Sequence, residues 1–149
     1  MLKEFSYKQF GNIEFSKEAM EEIAFTSIAE HIKILFIPKK ATIQVDFQEF
    51  TMETDALLFI NPKVIIKPCE TINGQLIYFN RDFYCIEIHD QEVACDGILY
   101  NNVFEIPFIQ LDESKSKDIQ NIIQEIKTEM INEDANTEEM LRILLKLII

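Results

Sequence analysis

The spacing of apolar side chains changes once along the chain, near residue 111. Before that point apolar residues form short runs or alternate with polar ones, and proline and glycine interrupt them at close intervals. This pattern is typical of β-strands. It predicts strands at 31–37, 41–47, 49–52, 56–60, 64–66 and 74–79, with shorter ones at 12–15 and 107–111. It also predicts a hairpin turn at Phe47 and Gln48, and a short helix over 16–23 that begins at Ser16.

After residue 111 apolar residues recur every three or four positions, as on one face of an α-helix. This spacing predicts a helix over 113–131, followed by a connector at 132–136 and a second helix. The second helix carries two adjacent apolar stripes, Met140, Leu144 and Leu147 beside Leu141, Leu145 and Ile148. Because the connector is short, we expect the two helices to lie antiparallel.

The pattern therefore predicts a mainly β chain with C-terminal helices, an α+β fold. A small β-barrel or sandwich occupies 1–111, and the helical pair over 112–149 packs on it as part of one structural unit. A length of 149 residues suits one domain with a full core. The second helix runs into the last residue, Ile149, without the glycine, asparagine or proline that usually ends a helix. We expect the native protein to continue further, and this helix to dock on a neighbour or on a second copy.

Charge and cysteine content narrow the classes of function. Twenty-six acidic residues oppose fourteen basic ones, which gives a net charge of −12. Binding to nucleic acid relies on lysine and arginine at phosphates, so this chain alone is not expected to bind DNA. No apolar stretch approaches the roughly 20 residues that span a bilayer, which argues against membrane insertion. Three cysteines and the lack of a signal peptide predict a cytoplasmic protein with reduced thiols.

Residues suited to catalysis are few, and we do not expect an enzyme. The two histidines, His31 and His89, are too few for a histidine-rich metal centre, so neither a metal nor another cofactor is expected. No serine-nucleophile or phosphate-binding glycine motif occurs. Cys85 and Cys95 stand among apolar neighbours, which favours packing over reactivity.

Three segments nevertheless resemble a known family. The sequences ALLFINP (56–62), GQLIYFNRDFYC (74–85) and EVACDGILYNN (92–102) resemble the N-terminal sensor domain of AraC-family transcription regulators. ILFIPKK (34–40) with 45–47 resembles the family's first hairpin, and 140–149 the helix that leads to its DNA-binding part. The resemblance implies a cupin-like jelly-roll barrel (a double-stranded β-helix) that binds a small effector or simply packs, and a helical pair that forms a homodimer. It also implies that DNA is bound only by a C-terminal helix-turn-helix domain absent from this chain.

Two departures from the family bear on a metal site. Relatives often carry His-x-His before the first hairpin, where this chain has Thr26 and Ile28 or their neighbours. Many also have a histidine shortly after the Asn-Pro pair, where Val64, Ile65 and Ile66 stand here. Both departures argue further against a metal-bound pocket.

Two sets of residues are candidates for function. Since strands of a small barrel point alternate side chains inward, the predicted ligand-binding residues are Lys33, Phe36, Phe59 and Tyr78. The predicted dimer interface consists of Ile119, Ile122, Ile123, Ile126, Met140, Leu144 and Leu147. As alternatives, these helices cover only the barrel of their own subunit, the domain dimerises without any ligand, or the chain is a small cupin-type enzyme.

Overall fold

The computed structural model describes residues 2–5, 8–16, 28–69, 73–84 and 108–149. In these residues the chain forms antiparallel β-sheets followed by two helices, so the predicted α+β class is confirmed. The strands are β1 (Leu2–Phe5), β2 (Lys8–Phe15), β3 (Ile32–Ile37), β4 (Thr42–Val45), β5 (Gln48–Thr51), β6 (Ala56–Ile60), β7 (Ile66–Pro68), β8 (Gly74–Phe79) and β9 (Phe108–Gln110). The helices are α1 (Glu113–Ile131) and α2 (Thr137–Ile148).

The strands form two sheets. The large sheet has the order β1-β2-β8-β3-β6-β9, and the small sheet has the order β5-β4-β7. Neither sheet closes on itself within the described residues, so the arrangement seen there is a sandwich and the predicted jelly-roll barrel is not confirmed. Strand β3 lies inside the large sheet, and all six of its residues are buried. A continuous apolar run such as ILFI is expected where both faces of a strand are covered.

Each face of the large sheet packs against a different layer. Leu35 and Ile37 of β3 lie in a core with Ile43 and Val45 of the small sheet. The alternate residues of β3, which include Ile34, lie in a second core with the two helices. The large sheet is therefore the middle of three layers, and its strands connect the small sheet to the helical pair.

The helical pair covers its side of the large sheet with the apolar stripe that its spacing predicts. The buried apolar residues of the helices are Ile119, Ile123, Ile126, Met130, Leu141, Leu144, Leu145 and Ile148. Helix α1 begins where the side chain of Asp112 accepts a hydrogen bond from the Lys115 amide at 2.8 Å. This bond satisfies an amide that the first turn of a helix leaves without a partner.

The observed strands differ from the predicted ones in several places, among them β2, which begins at Lys8 and not at residue 12. Strand β1 was not predicted, and β7 lies at Ile66–Pro68 instead of 64–66. The hairpin turns at Asp46 and Phe47, one residue earlier than expected, because Asp46 adopts a left-handed conformation with φ 52°. Its carboxylate accepts from the Ile65 amide at 3.0 Å and holds the turn against the β6–β7 connection. The predicted helix at 16–23 lies, after Ser16, outside the described residues.

Candidate functional site

Four residues in the middle of the large sheet form one row across its strands. Gly11 of β2 is paired with Tyr78 of β8, Tyr78 with Lys33 of β3, and Lys33 with Ile60 of β6. The ring of Tyr78 lies directly over Gly11, where a Cβ atom would stand 2.1 Å from the ring carbon Cζ. The absence of a side chain at Gly11 thus provides the space that the phenol occupies.

Lys33 is a charged residue inside the protein. Its side chain is 2% exposed, and its Nζ donates a hydrogen bond to the carbonyl oxygen of His31 at 3.0 Å. Within the described part of the chain, no ion pair joins Lys33 to a carboxylate. Burial lowers the pKa of Lys33 to about 8, an effect that the negative charge of Glu30 partly opposes. The ammonium group therefore keeps its proton at neutral pH without a close counter-charge.

His31 and Tyr78 surround this lysine with uncharged polar groups. The Nε2 atom of His31 lies 2.9 Å from the side-chain oxygen of Gln9, and its ring meets the Tyr78 ring edge to face at 5.4 Å. The buried Nδ1 of His31 has no hydrogen-bond partner among the described residues. Burial and the charge of Lys33 lower the pKa of His31, while burial raises the pKa of Tyr78. We call Gln9, His31, Lys33 and Tyr78 the polar cluster.

The polar cluster offers hydrogen-bond donors and acceptors to a ligand. A lysine ammonium has three N–H donors, one of which is directed to the carbonyl of His31. The phenol of Tyr78 both donates and accepts, and the neutral imidazole of His31 has a nitrogen to spare. Across the described ranges, no three His, Cys, Asp or Glu side chains are grouped so that they could hold a metal ion. The donors fit a small polar or negatively charged molecule.

An open concavity lies at the same end of the large sheet. Its volume is about 490 Å³, and it is lined by Glu30, Asn61, Pro62, Lys63 and Arg81. Glu30 lies two positions before β3, residues 61–63 directly follow β6, and Arg81 lies two positions after β8. Two cations and one carboxylate line it, so its local charge is positive in a protein whose net charge is −12.

The structure brings together two of the four predicted ligand-binding residues. Lys33 and Tyr78 are direct neighbours on the face toward the small sheet. Phe36 and Phe59 are buried on the opposite face, among the residues that contact the helices. Lys33 and Phe36 are an odd number of positions apart on one strand, so their side chains point to opposite faces. The four residues therefore do not line a single cavity, which corrects the expectation that all of them point into one interior.

The predicted interface residues also separate into two groups. Ile119, Ile123, Ile126 and Leu144 are buried against the large sheet of their own chain, and Ile122 is partly buried beside them. This arrangement matches the alternative that the helices cover their own subunit. Met140 and Leu147, in contrast, are 41% and 62% exposed. Ile143, which was not predicted, is 54% exposed and lies between them on the same face of α2.

Sequence reasoning missed His31, Gln9 and the residues of the concavity. The available signal for His31 was its position two residues before Lys33, which places both side chains on the same side of the strand. His89, Cys85 and Cys95 lie outside the described residues. Cys69 is exposed.

No protein-family model matches the chain, and no curated protein matches it. None of the helices that the structure describes has the length and apolar character needed to cross a membrane.

Proposed function

We propose that this chain is the effector-sensing and dimerisation domain of a bacterial AraC-type transcription regulator. In this proposal a small ligand held by the polar cluster biases the arrangement of DNA-binding domains that lie outside this chain. The observation that carries the proposal is the buried ammonium group of Lys33, which has no carboxylate partner among the described residues.

An unpaired charge inside a protein is costly, and burial of a lysine stabilises its neutral form. A methionine or leucine would fill the same space with no such penalty, so the presence of lysine here calls for a role other than packing. Polar groups whose burial reduces the stability of a protein are frequently those that bind a ligand. The spare donors of Lys33 supply what an oxyanion or a carbonyl of an effector requires.

Strand β3 offers a direct mechanical link from the cluster to the helices. Lys33 faces the small sheet, while its neighbours Ile32 and Ile34 face the helical pair and share a core with Ile126 and Leu145. A ligand that prefers one position of β3 would shift the packing of the helices on its other side. The two sheets pack face to face, and the strand pairings among the described residues are antiparallel, which suits the jelly-roll architecture that the family resemblance implies.

The outer face of α2 supports a homodimer as the form in which the domain works. Met140, Ile143 and Leu147 recur at the spacing of one helical face and are exposed. Glu139 precedes this stripe, and Lys146 lies near its other end. If two copies of α2 pair antiparallel around a two-fold axis near Ile143, Glu139 of each copy lies near Lys146 of the other. In this arrangement apolar residues face apolar residues and opposite charges face each other, as a two-fold interface requires.

A fusion experiment tests this proposal. The chain is joined to a DNA-binding domain that binds its two-half-site operator tightly only as a dimer. We expect the fusion to raise operator affinity at least tenfold over the unfused domain, because pairing makes the second contact intramolecular. Ile143→Glu should abolish this gain. Ile131→Glu is the matched control, since Ile131 is also an exposed helical isoleucine (70%) but lies outside the stripe. Equal affinity with and without the fused chain would contradict the proposal.

A further inference from the structure

We infer that the concavity lined by Glu30, Asn61, Pro62, Lys63 and Arg81 binds a small organic dianion, a dicarboxylate or a phosphate ester. The inference goes beyond the proposed function and does not depend on it, because it concerns a surface separate from the polar cluster and requires neither a dimer nor DNA.

The concavity contains a pair of cations, Lys63 and Arg81. Neither Lys63 nor Arg81 forms an ion pair with any residue that the structure describes, although Lys3, Lys8 and Arg142 each have a carboxylate partner. Lys63 and Arg81 are both exposed, and they share this concavity with a single carboxylate, that of Glu30. A concave surface of one sign of charge concentrates ligands of the opposite sign.

The backbone of Lys63 has a left-handed conformation that lysine rarely adopts. Asn61, Pro62, Lys63 and Val64 form a turn in which the Val64 amide donates to the Asn61 carbonyl at 3.4 Å, with Lys63 at φ 72°. A turn with proline second and a positive φ third usually has glycine or asparagine at that third position. Lysine is disfavoured there by roughly 1 kcal/mol. The Lys63 amide donates to the Ala29 carbonyl at 2.6 Å, which holds the strained residue at the rim of the concavity.

The side chains that line the concavity have the chemistry that an oxyanion requires. A guanidinium group such as that of Arg81 binds a carboxylate or a phosphate through two parallel N–H bonds, and a lysine adds a point charge. The amide of Asn61 supplies a neutral donor to orient the ligand. A volume of about 490 Å³ admits a small metabolite. Glu30 opposes an anion, but the two cations outnumber it, and its charge also acts on Lys33.

The experiment uses inorganic phosphate and succinate as probes, with chloride at matched ionic strength as the reference. Thermal unfolding and calorimetry are recorded for the wild-type chain and for Lys63→Gly. Glycine removes the cation and also relieves the left-handed strain, so the variant should fold and unfold at an equal or higher temperature. Lys40→Gly is a matched control, because Lys40 also has a positive φ of 71° but lies in the turn at the other end of β3.

We expect at least one probe to raise the unfolding temperature of wild type and of Lys40→Gly saturably, and its affinity to fall at least tenfold in Lys63→Gly. Glu30→Gln should bind the same probe several-fold more tightly, because it removes the opposing charge. A response to succinate alone identifies a dicarboxylate site, and a response to phosphate alone a phosphate-ester site. The inference is overturned if neither probe acts saturably on wild type, or if Lys63→Gly responds as wild type does. Neither result bears on dimer formation, so failure here is distinct from failure of the proposed function.

Discussion

Arg142 of α2 contacts Phe83 in two ways. Its Nε donates to the Phe83 carbonyl oxygen at 3.0 Å, and its guanidinium carbon lies 4.9 Å from the centre of the Phe83 ring. Phe83 follows β8, the strand that carries Tyr78, and its ring is buried in the core shared with the helices. The contact therefore joins α2 directly to the chain segment after a strand of the candidate site.

Replacing Arg142 by lysine tests the strength of this connection. Lysine keeps the charge but loses the planar group that donates to Phe83 while it stacks on the ring, so Arg142→Lys should lower the free energy of unfolding by about 1 to 2 kcal/mol. Urea denaturation measures the change. Lys146→Ala, an exposed cation on the same helix, should change it by less than about 0.5 kcal/mol. Similar values for the two variants would show that Arg142 acts only as a surface charge.

Glu138 makes the stability of the domain depend on acid pH. Hydrogen bonds from Arg142 and Lys8 lower the pKa of Glu138 below its ordinary value of 4.5. A carboxylate whose pKa is lower in the folded state stabilises the protein above the unfolded pKa, and this contribution disappears as the pH falls through the folded value. Glu138→Gln should therefore be less stable than wild type at pH 7, and the difference should shrink as the pH falls below 4.5 and vanish once this carboxyl group is protonated in the folded protein. Denaturation at a series of pH values checks this, and a difference independent of pH would contradict it.

Gly11 is expected to tolerate no side chain. A Cβ atom at this position would overlap the Tyr78 ring, so Gly11→Ala must displace the ring from its place beside Lys33. We predict a loss of at least about 2 kcal/mol in the free energy of unfolding. In the double variant that also carries Tyr78→Leu, the loss of stability should be smaller than the sum of the losses in the two single variants, because the smaller side chain relieves the clash. Additive losses would mean that the ring does not depend on Gly11.

Lys33 should reduce stability at neutral pH. Its pKa is about 8 in the folded protein and 10.5 in the unfolded chain. At a pH between these two pKa values, Lys33 is protonated in the unfolded chain and neutral in the folded protein. Folding there releases a proton, so wild type should gain stability as the pH rises from 8 to 10.5. The shift corresponds to about 3 kcal/mol.

Lys33→Met removes this penalty. The variant should be more stable than wild type at pH 7, and its advantage should shrink toward pH 10.5 as wild type gains stability. Lys67→Met, on the small sheet and exposed, is the control and should show no such change. Guanidinium denaturation at pH 7 and at pH 10 measures how far the free energy of unfolding of each variant differs from that of wild type. A Lys33→Met protein less stable than wild type at pH 7 would refute the argument from burial.

The sequence predicted the elements whose periodicity is regular. The spacing of isoleucines located α1 at 113–131, and continuous apolar runs located β6 and β8 at their observed bounds. Strand β1 was not predicted, because the sequence LKEF has no alternation of apolar and polar residues. This strand forms through its pairing with β2, which is a tertiary interaction.

The site was less predictable than the elements, for a physical reason. The polar cluster depends on the register that places residues 11, 33 and 78 in one row, and pairing between segments so distant in sequence cannot be read from local pattern. The alternation of side chains along β3 could, however, have predicted that Lys33 and Phe36 lie on opposite faces of the sheet. The apolar stripes of the helices indicated that these side chains are buried. They did not indicate whether the large sheet of the same chain or a second copy covers them.

A thermal-unfolding screen with small metabolites tests most directly whether the polar cluster binds an effector. Wild type, Lys33→Met and Lys63→Gly are compared, so that binding in the cluster is separated from binding in the concavity. We predict at least one compound that raises the unfolding temperature of wild type and of Lys63→Gly saturably but does not affect Lys33→Met. If no compound acts, or if every active compound stabilises Lys33→Met as much as wild type, the cluster is not an effector site.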